Sequence, residues 1–319
     1  MKFDFFIFFL LISIVLAYFF PQLAVLQGGE VLAFINTIGV SLIFFFYGIK
    51  LSFQDLKSGI SNWKLHVLVQ LTTFLLFPLL ILLFRPLIQT VPQEHFWISF
   101  FFLAALPSTV SSSVVMVSIA KGNIPSAILN ASISGLIGVI ITPFWMSLFL
   151  EFKTENVFTD VYWGLIKEII IPVLLGMLLQ RYLGAWATKY GKRLAQFDKT
   201  VILFIVYGSF ADSFVSGVFE TISGLYLFYI FVGVLLLFCI VYFLVFFLSK
   251  YVFKFAEEDQ ITALFCGSKK SLSHGSVFGK FLFVHNPNAG LYFLPLMIFH
   301  ALQIFIVTII AQAYHNKRK

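Results

Sequence analysis

The sequence predicts an all-α integral membrane protein with ten transmembrane helices arranged as two inverted five-helix repeats. Three observations predict this fold: the apolar composition, an uneven distribution of positive charge along the chain, and a polar break in the middle of two corresponding spans. Hydrophobic residues make up 60% of the 319 positions and charged residues only 11%, whereas about a quarter of an ordinary soluble domain is charged. The mean hydropathy of +0.99 agrees with a chain that lies mostly in lipid.

Hydropathy divides the chain into ten apolar spans, each long enough to cross a hydrocarbon core of about 30 Å. The spans are 4–20, 31–50, 65–84, 96–120 and 124–150, then 161–181, 199–219, 222–249, 260–284 and 289–314. The first span could be a signal peptide, but the bulky residues at 18–21 argue against a cleavage site, so we retain it as a helix. We expect residues 1–150 to form the first repeat and residues 160–319 the second.

Ten spans place both termini and alternate loops on one side of the membrane, and that side carries most of the positive charge. Its basic residues are Lys2, Lys50, Lys57, Lys64, Lys121, Arg181, Lys189, Lys192, Arg193, Lys199, Lys250, Lys254, Lys317, Arg318 and Lys319. The opposite side has only Arg85, Lys153, Lys167 and Lys280. Since cytoplasmic loops are the positive ones, we expect an inner or plasma membrane protein with both termini in the cytoplasm. The net charge of +7 then reflects topology and does not indicate nucleic-acid binding.

A weak internal similarity relates the two halves of the sequence. A shift from position 44 to position 204 aligns Phe44, Tyr47 and Gly48 with Phe204, Tyr207 and Gly208. The same shift, without a gap, places Pro107 over Gly267 and aligns serines in the two breaks. Because the shift equals five spans, an odd number, the two halves must be inverted relative to each other. Chance similarity in a sequence rich in Phe and Ser is the alternative.

The first break lies in the fourth span, where a proline is followed by a cluster of hydroxyl residues. Its members are Pro107, Ser108, Thr109, Ser111, Ser112 and Ser113. A broken helix exposes backbone groups that lipid cannot satisfy, so the break must face protein or a water-filled cavity. A half-helix that begins after Pro107 would direct its positive dipole end into that space and favour an anion. Alternatively, the serines only allow close helix packing.

The second break lies in the ninth span and contains two lysines in a polar stretch. Its candidate site residues are Ser268, Lys269, Lys270, Ser271, Ser273 and His274. A charge at membrane depth costs several kcal/mol, so we expect at least one lysine to face a cavity with a partner. The alternative is that the lysines extend to a membrane interface. Ser108–Ser113 and Ser268–His274 would then form two walls of a substrate site.

Polar residues elsewhere in the spans are weaker evidence for a binding site. Asn130, Gln70, His300 and Gln303 are each better explained as helix-to-helix hydrogen bonds than as ligands. Asn130 is the strongest candidate among them, because its helix directly follows the first break. The sequence has no nucleotide-binding loop, zinc-ligand spacing or catalytic nucleophile arrangement. We therefore expect no enzyme activity, no cofactor and no resident metal ion, and any transport would be driven by gradients.

At these positions the sequence resembles the bile acid:sodium symporter family over nearly its whole length. The resemblance rests on 106–113 (LPSTVSSS), followed by 120–123 (AKGN), and the subgroup of solute carrier family 10 member 7 is most similar at 39–48 and 265–272. It implies a panel domain and a core domain, with the fourth and ninth helices unwound and crossing in the core. It also implies a substrate cavity between these domains, with sodium ions behind the crossing.

The resemblance places the sodium-ligating hydroxyls on Ser112 and Ser113, and near Ser126 and Asn130. The ninth span departs from the family pattern of a Glu followed by Gln-Asn, because Cys266 takes the place of the Glu and Lys270 that of the Gln, with Lys269 before it. Gln70 also stands further from Pro78 than the family spacing suggests. An ammonium would repel a sodium ion beside it. We therefore predict degenerate sodium sites, with Lys269 or Lys270 donating to the carbonyls that sodium coordinates in the family.

These features favour an alternating-access transporter of an organic anion or amphipathic small molecule. Sodium would bind weakly or not at all, and transport would be linked to protons or uncoupled. The alternative is a membrane regulator of calcium homeostasis that transports weakly or not at all, a role linked to the resembling subgroup. A channel is the third class of protein considered. Crossed discontinuous helices favour it less, because they suit an occluded binding site.

Overall fold

The computed structural model describes residues 5–24, 29–51, 62–150, 156–284 and 286–317, and this part of the chain is helical with no strand. Its α-helices are α1 (Phe5–Phe19), α2 (Glu30–Lys50), α3 (Trp63–Leu71), α4 (Phe77–Leu82), α5 (Val91–Ala105), α6 (Ser111–Ile119), α7 (Ile124–Ser147), α8 (Asn156–Leu165), α9 (Ile171–Lys189), α10 (Gly191–Val215), α11 (Gly224–Phe247), α12 (Glu257–Gly267), α13 (Leu272–Leu282) and α14 (Ala289–Lys317). Short 3-10 helices lie at Pro21–Leu23, Arg85–Leu87 and Val218–Thr221.

Three π-helical segments widen the long helices. They are Thr72–Leu76 between α3 and α4, Ile166–Ile170 between α8 and α9, and Leu248–Val252 after α11. The first two are followed at the second helical position by Pro78 and Pro172, which have no N–H to donate to the preceding turn. The segments therefore mark places where backbone carbonyls become available to other partners.

Seven helical stretches among the described residues are long and apolar enough to cross a membrane. They are Glu30–Lys50, Trp63–Leu87, Ile124–Ser147, Thr159–Lys189, Gly191–Val215, Gly224–Val252 and Ala289–Lys317. The apolar helix at Phe6–Phe19 is shorter. The coarse prediction of a helical membrane protein is therefore confirmed.

The chain forms two compact units, each assembled from separate stretches of sequence. The first comprises the described residues of Met1–Ser52, Leu150–Ser223 and Ser276–Phe293. Within it, α1 packs against α10, and α2 packs along α9. Gly48 and Gly176 face each other there, and a Cβ on either would overlap a carbonyl of the opposite helix. Small residues of this kind let two membrane helices approach closely.

The second unit comprises the described residues of Phe53–Phe149, Gly224–Gly275 and Leu294–Lys319. It contains both polar breaks, and α12 packs in it against α3, α6, α7 and α11. The repeats expected at 1–150 and 160–319 are a different division of the chain, based on sequence similarity, and they stay a prediction.

Candidate functional site

The first break separates α5 from α6 by an extended segment. Pro107 favours the end of α5 because its ring disfavours the helical conformation in the preceding residue, and Leu106 has an extended ψ of 153°. The four carbonyls at this helix end all have partners. That of Ala105 accepts from Thr142 at 2.7 Å and that of Pro107 from the Ser271 N–H at 2.9 Å. Those of Ala104 and Leu106 accept from Lys270.

The second break separates α12 from α13 and is fully buried. Side chains of the first break reach its backbone: Ser108 Oγ donates to the carbonyl of Cys266 at 2.5 Å, and Ser113 Oγ donates to that of Phe265 at 3.0 Å. Together with the bond from Ser271 N–H to Pro107, these contacts join the two breaks in both directions. The hydroxyls of the first break thus satisfy carbonyls that the end of α12 leaves free.

Lys270 lies at the centre of this arrangement. Its Nζ is 2.7 Å from the carbonyl oxygen of Thr73, 2.6 Å from that of Ala104 and 2.7 Å from that of Leu106. An ammonium has three N–H donors, so each has one carbonyl acceptor. The Phe77 ring centroid lies 4.1 Å from the same nitrogen and adds a cation–π contact. The side chain is fully buried and does not extend to an interface.

The π-helical segment explains why the Thr73 carbonyl is available. Phe77 N–H donates five residues back to Thr72, so the next donor in this pattern would be Pro78, which has no N–H. The carbonyls of Thr73 and Phe74 therefore lose helical partners. Lys270 takes the first, and the Trp145 indole N–H takes the second at 2.8 Å.

Gln303 of α14 holds the backbone of Lys270 in place. Its Oε1 accepts from the Lys270 N–H at 2.9 Å, and its Nε2 donates to the Lys270 carbonyl at 2.8 Å. His300 lies 3.1 Å from the same Nε2. This amide therefore replaces the strand or helix partner that an unwound backbone lacks.

Lys269 has a different environment from Lys270. Its side chain is also fully buried, and its Nζ donates to Ser112 Oγ at 2.8 Å. Ser112 in turn donates to Thr109, whose hydroxyl lies 2.8 Å from that of Ser113. The hydroxyl cluster of the first break is thus a connected chain that begins at an ammonium.

The remaining predicted residues divide into two groups. Ser268 donates to the Leu264 carbonyl at 2.6 Å, and Ser271 Oγ lies 3.0 Å from His274 Nδ1, so both serines stabilise local backbone or side-chain positions. Ser273 is only partly buried in α13. Ser111 begins α6, and its side chain lies outside the described part of the structure.

Ser126 and Asn130 lie together in α7, beside Gln70. Asn130 Nδ2 donates to the Ser126 carbonyl at 3.0 Å, and Gln70 Nε2 lies 3.3 Å from Asn130 Oδ1. The spacing between Gln70 and Pro78 suggests that Gln70 is displaced from this group, but the structure places it there. The π-helical turn lengthens the sequence between these two residues. Among the described residues, Gln70 Oε1 is a buried oxygen without a hydrogen-bond partner.

The site also has contributors that were not among the predicted site residues, the Ala104 and Leu106 carbonyls included. Thr73 acts through its carbonyl and Phe77 through its ring, and neither role has a side-chain signature apart from the following Pro78. Gln303 was recognised as an intramembrane polar residue, but its partner could not be identified from spacing. No group of three or more His, Cys, Asp or Glu residues in the described chain could hold a metal ion.

Comparison with known proteins identifies the family of the chain. A sequence model of the SBF-like CPA transporter family matches residues 4–316. YfeH of Escherichia coli, whose name describes a proposed symporter, is 33% identical over 311 residues, which cover 97% of this chain and 92% of that protein. Sodium/bile acid cotransporter 7 of Rattus norvegicus is 28% identical over 280 residues, 86% of this chain and 82% of that protein. The chain therefore belongs to the SBF-like CPA transporter family, a bile acid:sodium symporter family of transmembrane transporters and not of enzymes.

Proposed function

We propose that the protein is a secondary active transporter of an organic anion or amphipathic small molecule, and that Lys270 takes the place of a sodium ion. One observation carries this proposal: the Lys270 ammonium donates to three backbone carbonyls at 2.6–2.7 Å, where two broken helices meet. Backbone carbonyls are the ligands that a hard cation prefers. A fixed ammonium supplies the same positive charge without an ion.

A sodium ion in the same space would meet an ammonium, which repels it and occupies its ligands. Lys269 adds a second buried positive charge next in the chain, and Ser112 already accepts a hydrogen bond from it. Lysine thus engages the Ser112 hydroxyl, which the family resemblance assigns to sodium, and three backbone carbonyls at the crossing. We infer that sodium coupling is weakened or replaced, with proton-linked or uncoupled transport in its place.

The architecture that supports alternating access is ten transmembrane helices in two inverted repeats. The seven long helical stretches, α1, and the broken pairs α5–α6 and α12–α13 together make ten spans. Each broken pair occupies the fourth or ninth position in that order, five spans apart. We propose a panel and a core domain, and both termini in the cytoplasm.

The substrate class follows from the charges at the crossing. Lys269 and Lys270 are buried cations, and α6 begins beside them with its positive dipole end. The name of the relatives called sodium/bile acid cotransporters refers to bile acids, which are amphipathic anions. An amphipathic anion is therefore the first substrate class to test.

Uptake of radiolabelled cholate into proteoliposomes, measured in sodium and in potassium buffer, tests the proposal. For the wild-type protein we expect uptake that differs by less than about twofold between the two salts, since the Lys270 ammonium occupies the cation position at the crossing. Lys270→Gln should make uptake depend on sodium, and Lys250→Gln, an exposed position, is the matched control. Strong sodium dependence of the wild-type protein would contradict the lysine replacement. Failure to transport any solute tested would favour the regulatory alternative.

A further inference from the structure

The first unit contains a pair of oppositely charged, mostly buried side chains, which the crossing of the broken helices does not use. Lys280 of α13 donates to Glu168 Oε2 at 2.6 Å and to Thr37 Oγ1 at 2.9 Å. Its ammonium also lies 5.0 Å from the centroid of the Phe281 ring. The two charged side chains are only 18% and 15% exposed.

The position of this pair in the fold is unusual for a purely structural contact. Glu168 lies at the centre of the π-helical segment Ile166–Ile170, a kind of distortion that is frequent at functional sites. Well-packed apolar residues of similar size can often replace a buried ion pair without loss of stability. Ionisable residues within membrane helices commonly line substrate or ion pathways instead.

The chemistry of the three side chains fits an anionic ligand. Lys280 provides a positive charge, and Thr37, which now accepts a hydrogen bond, also has a hydroxyl proton that it can donate to an anion oxygen. The Phe281 ring provides apolar surface next to the charge. Glu168 is itself an anion, and its contact shows that the ammonium binds a carboxylate.

We propose that Lys280 and Thr37 bind the anionic head group of the transported molecule, a carboxylate or an equivalent oxyanion, in competition with Glu168. When no ligand is bound, Glu168 forms an ion pair with the Lys280 ammonium. The inference rests on the proposed function, because it identifies a recognition element in the first unit for the proposed class of anionic substrate.

Competition with an internal carboxylate makes a specific prediction for ligand binding. The probe is decanoate, with decanol as its uncharged counterpart, and the readout is the thermal stability of purified protein in detergent. Decanoate should stabilise the wild-type protein more than decanol does. Glu168→Gln removes the competing charge and should lower the decanoate dissociation constant by about tenfold, an effect that loss of a structural contact would not produce.

Removal of the ammonium tests the other partner. Lys280→Met alone leaves a partly buried carboxylate unpaired and could prevent folding, so the double variant Glu168→Gln/Lys280→Met, which lacks both charges, is also measured. Its decanoate-specific stabilisation should disappear. Lys50 and Asp198, which lie 3.9 Å apart in the same unit, provide the matched control. The double variant Lys50→Met/Asp198→Asn should bind decanoate like the wild type.

The results separate the two proposals. Equal affinity of the wild type and Glu168→Gln, or retained binding in the double variant at Glu168 and Lys280, overturns the Lys280 site and leaves the transporter proposal intact. The same conclusion follows if the control variant changes affinity as much as Glu168→Gln. No stabilisation of the wild-type protein by decanoate overturns the Lys280 site and also the assignment of an amphipathic anion as substrate.

Discussion

The side-chain amide of Gln303 forms two hydrogen bonds with the backbone of Lys270, at 2.9 Å to its N–H and 2.8 Å to its carbonyl. This pairing fixes the backbone from which the ammonium reaches three carbonyls. The geometry of the crossing therefore depends on an amide from α14 as well as on the two breaks themselves.

Gln303→Leu should destabilise the protein. The substitution leaves a buried N–H and a buried carbonyl of Lys270 without partners, which costs about 2–5 kcal/mol in total. We expect a lower melting temperature in detergent and reduced cholate uptake. Gln312→Leu, at an exposed position of the same helix, is the control and should melt like the wild type. Equal melting of both variants would show that the Gln303 amide does not stabilise the crossing.

Trp145→Phe should destabilise the protein, because it leaves the Phe74 carbonyl, which Pro78 deprives of a helical donor, without a hydrogen-bond partner. The indole N–H is the partner of the Phe74 carbonyl at 2.8 Å, and phenylalanine keeps most of the ring but no donor. We expect a loss of about 1–3 kcal/mol, measured as reduced resistance to thermal unfolding. Trp163→Phe, whose ring is 55% exposed, should have little effect. An unchanged Trp145→Phe protein would mean that another group satisfies this carbonyl.

Gly138→Ala should disturb the first break directly. A Cβ at this position would lie 2.8 Å from the Pro107 ring, closer than side-chain atoms pack, so α7 or the break must move. Overpacking of this kind costs about 1–3 kcal/mol. Gly191→Ala adds the same methyl group where no atom lies within 4 Å, and it should be neutral or stabilising. Equal stability of the two variants would contradict the close packing of Pro107 on α7.

The sequence predicted the helical membrane fold and both breaks because proline, hydroxyl and lysine residues in an apolar run have a direct physical cost. It also indicated the serines and the pair Lys269 and Lys270 as candidates, without distinguishing which lysine reaches the opposite backbone. It could not identify Thr73 or Phe77, because a carbonyl and a ring have no pattern of their own. The π-helical turn before Pro78 likewise depends on tertiary partners, and it reversed the expectation for Gln70.

Lys280 illustrates the same limit for long-range partners. Its place in the sequence near the end of a span suggested only a charge on the less basic side of the membrane. Glu168 and Thr37 are distant in sequence, at separations of 112 and 243 residues, and only the folded first unit brings the three side chains together.

The most direct test of the central claim is the thermal stability of the purified protein as sodium chloride is titrated, with potassium chloride at equal ionic strength as reference. If the Lys270 ammonium occupies the cation site, sodium should have no saturable effect on the wild type. Lys270→Gln should be less stable in potassium and should regain stability as sodium rises, because the freed carbonyls then accept the ion. A saturable sodium stabilisation of the wild-type protein by more than about 5 °C would contradict the account.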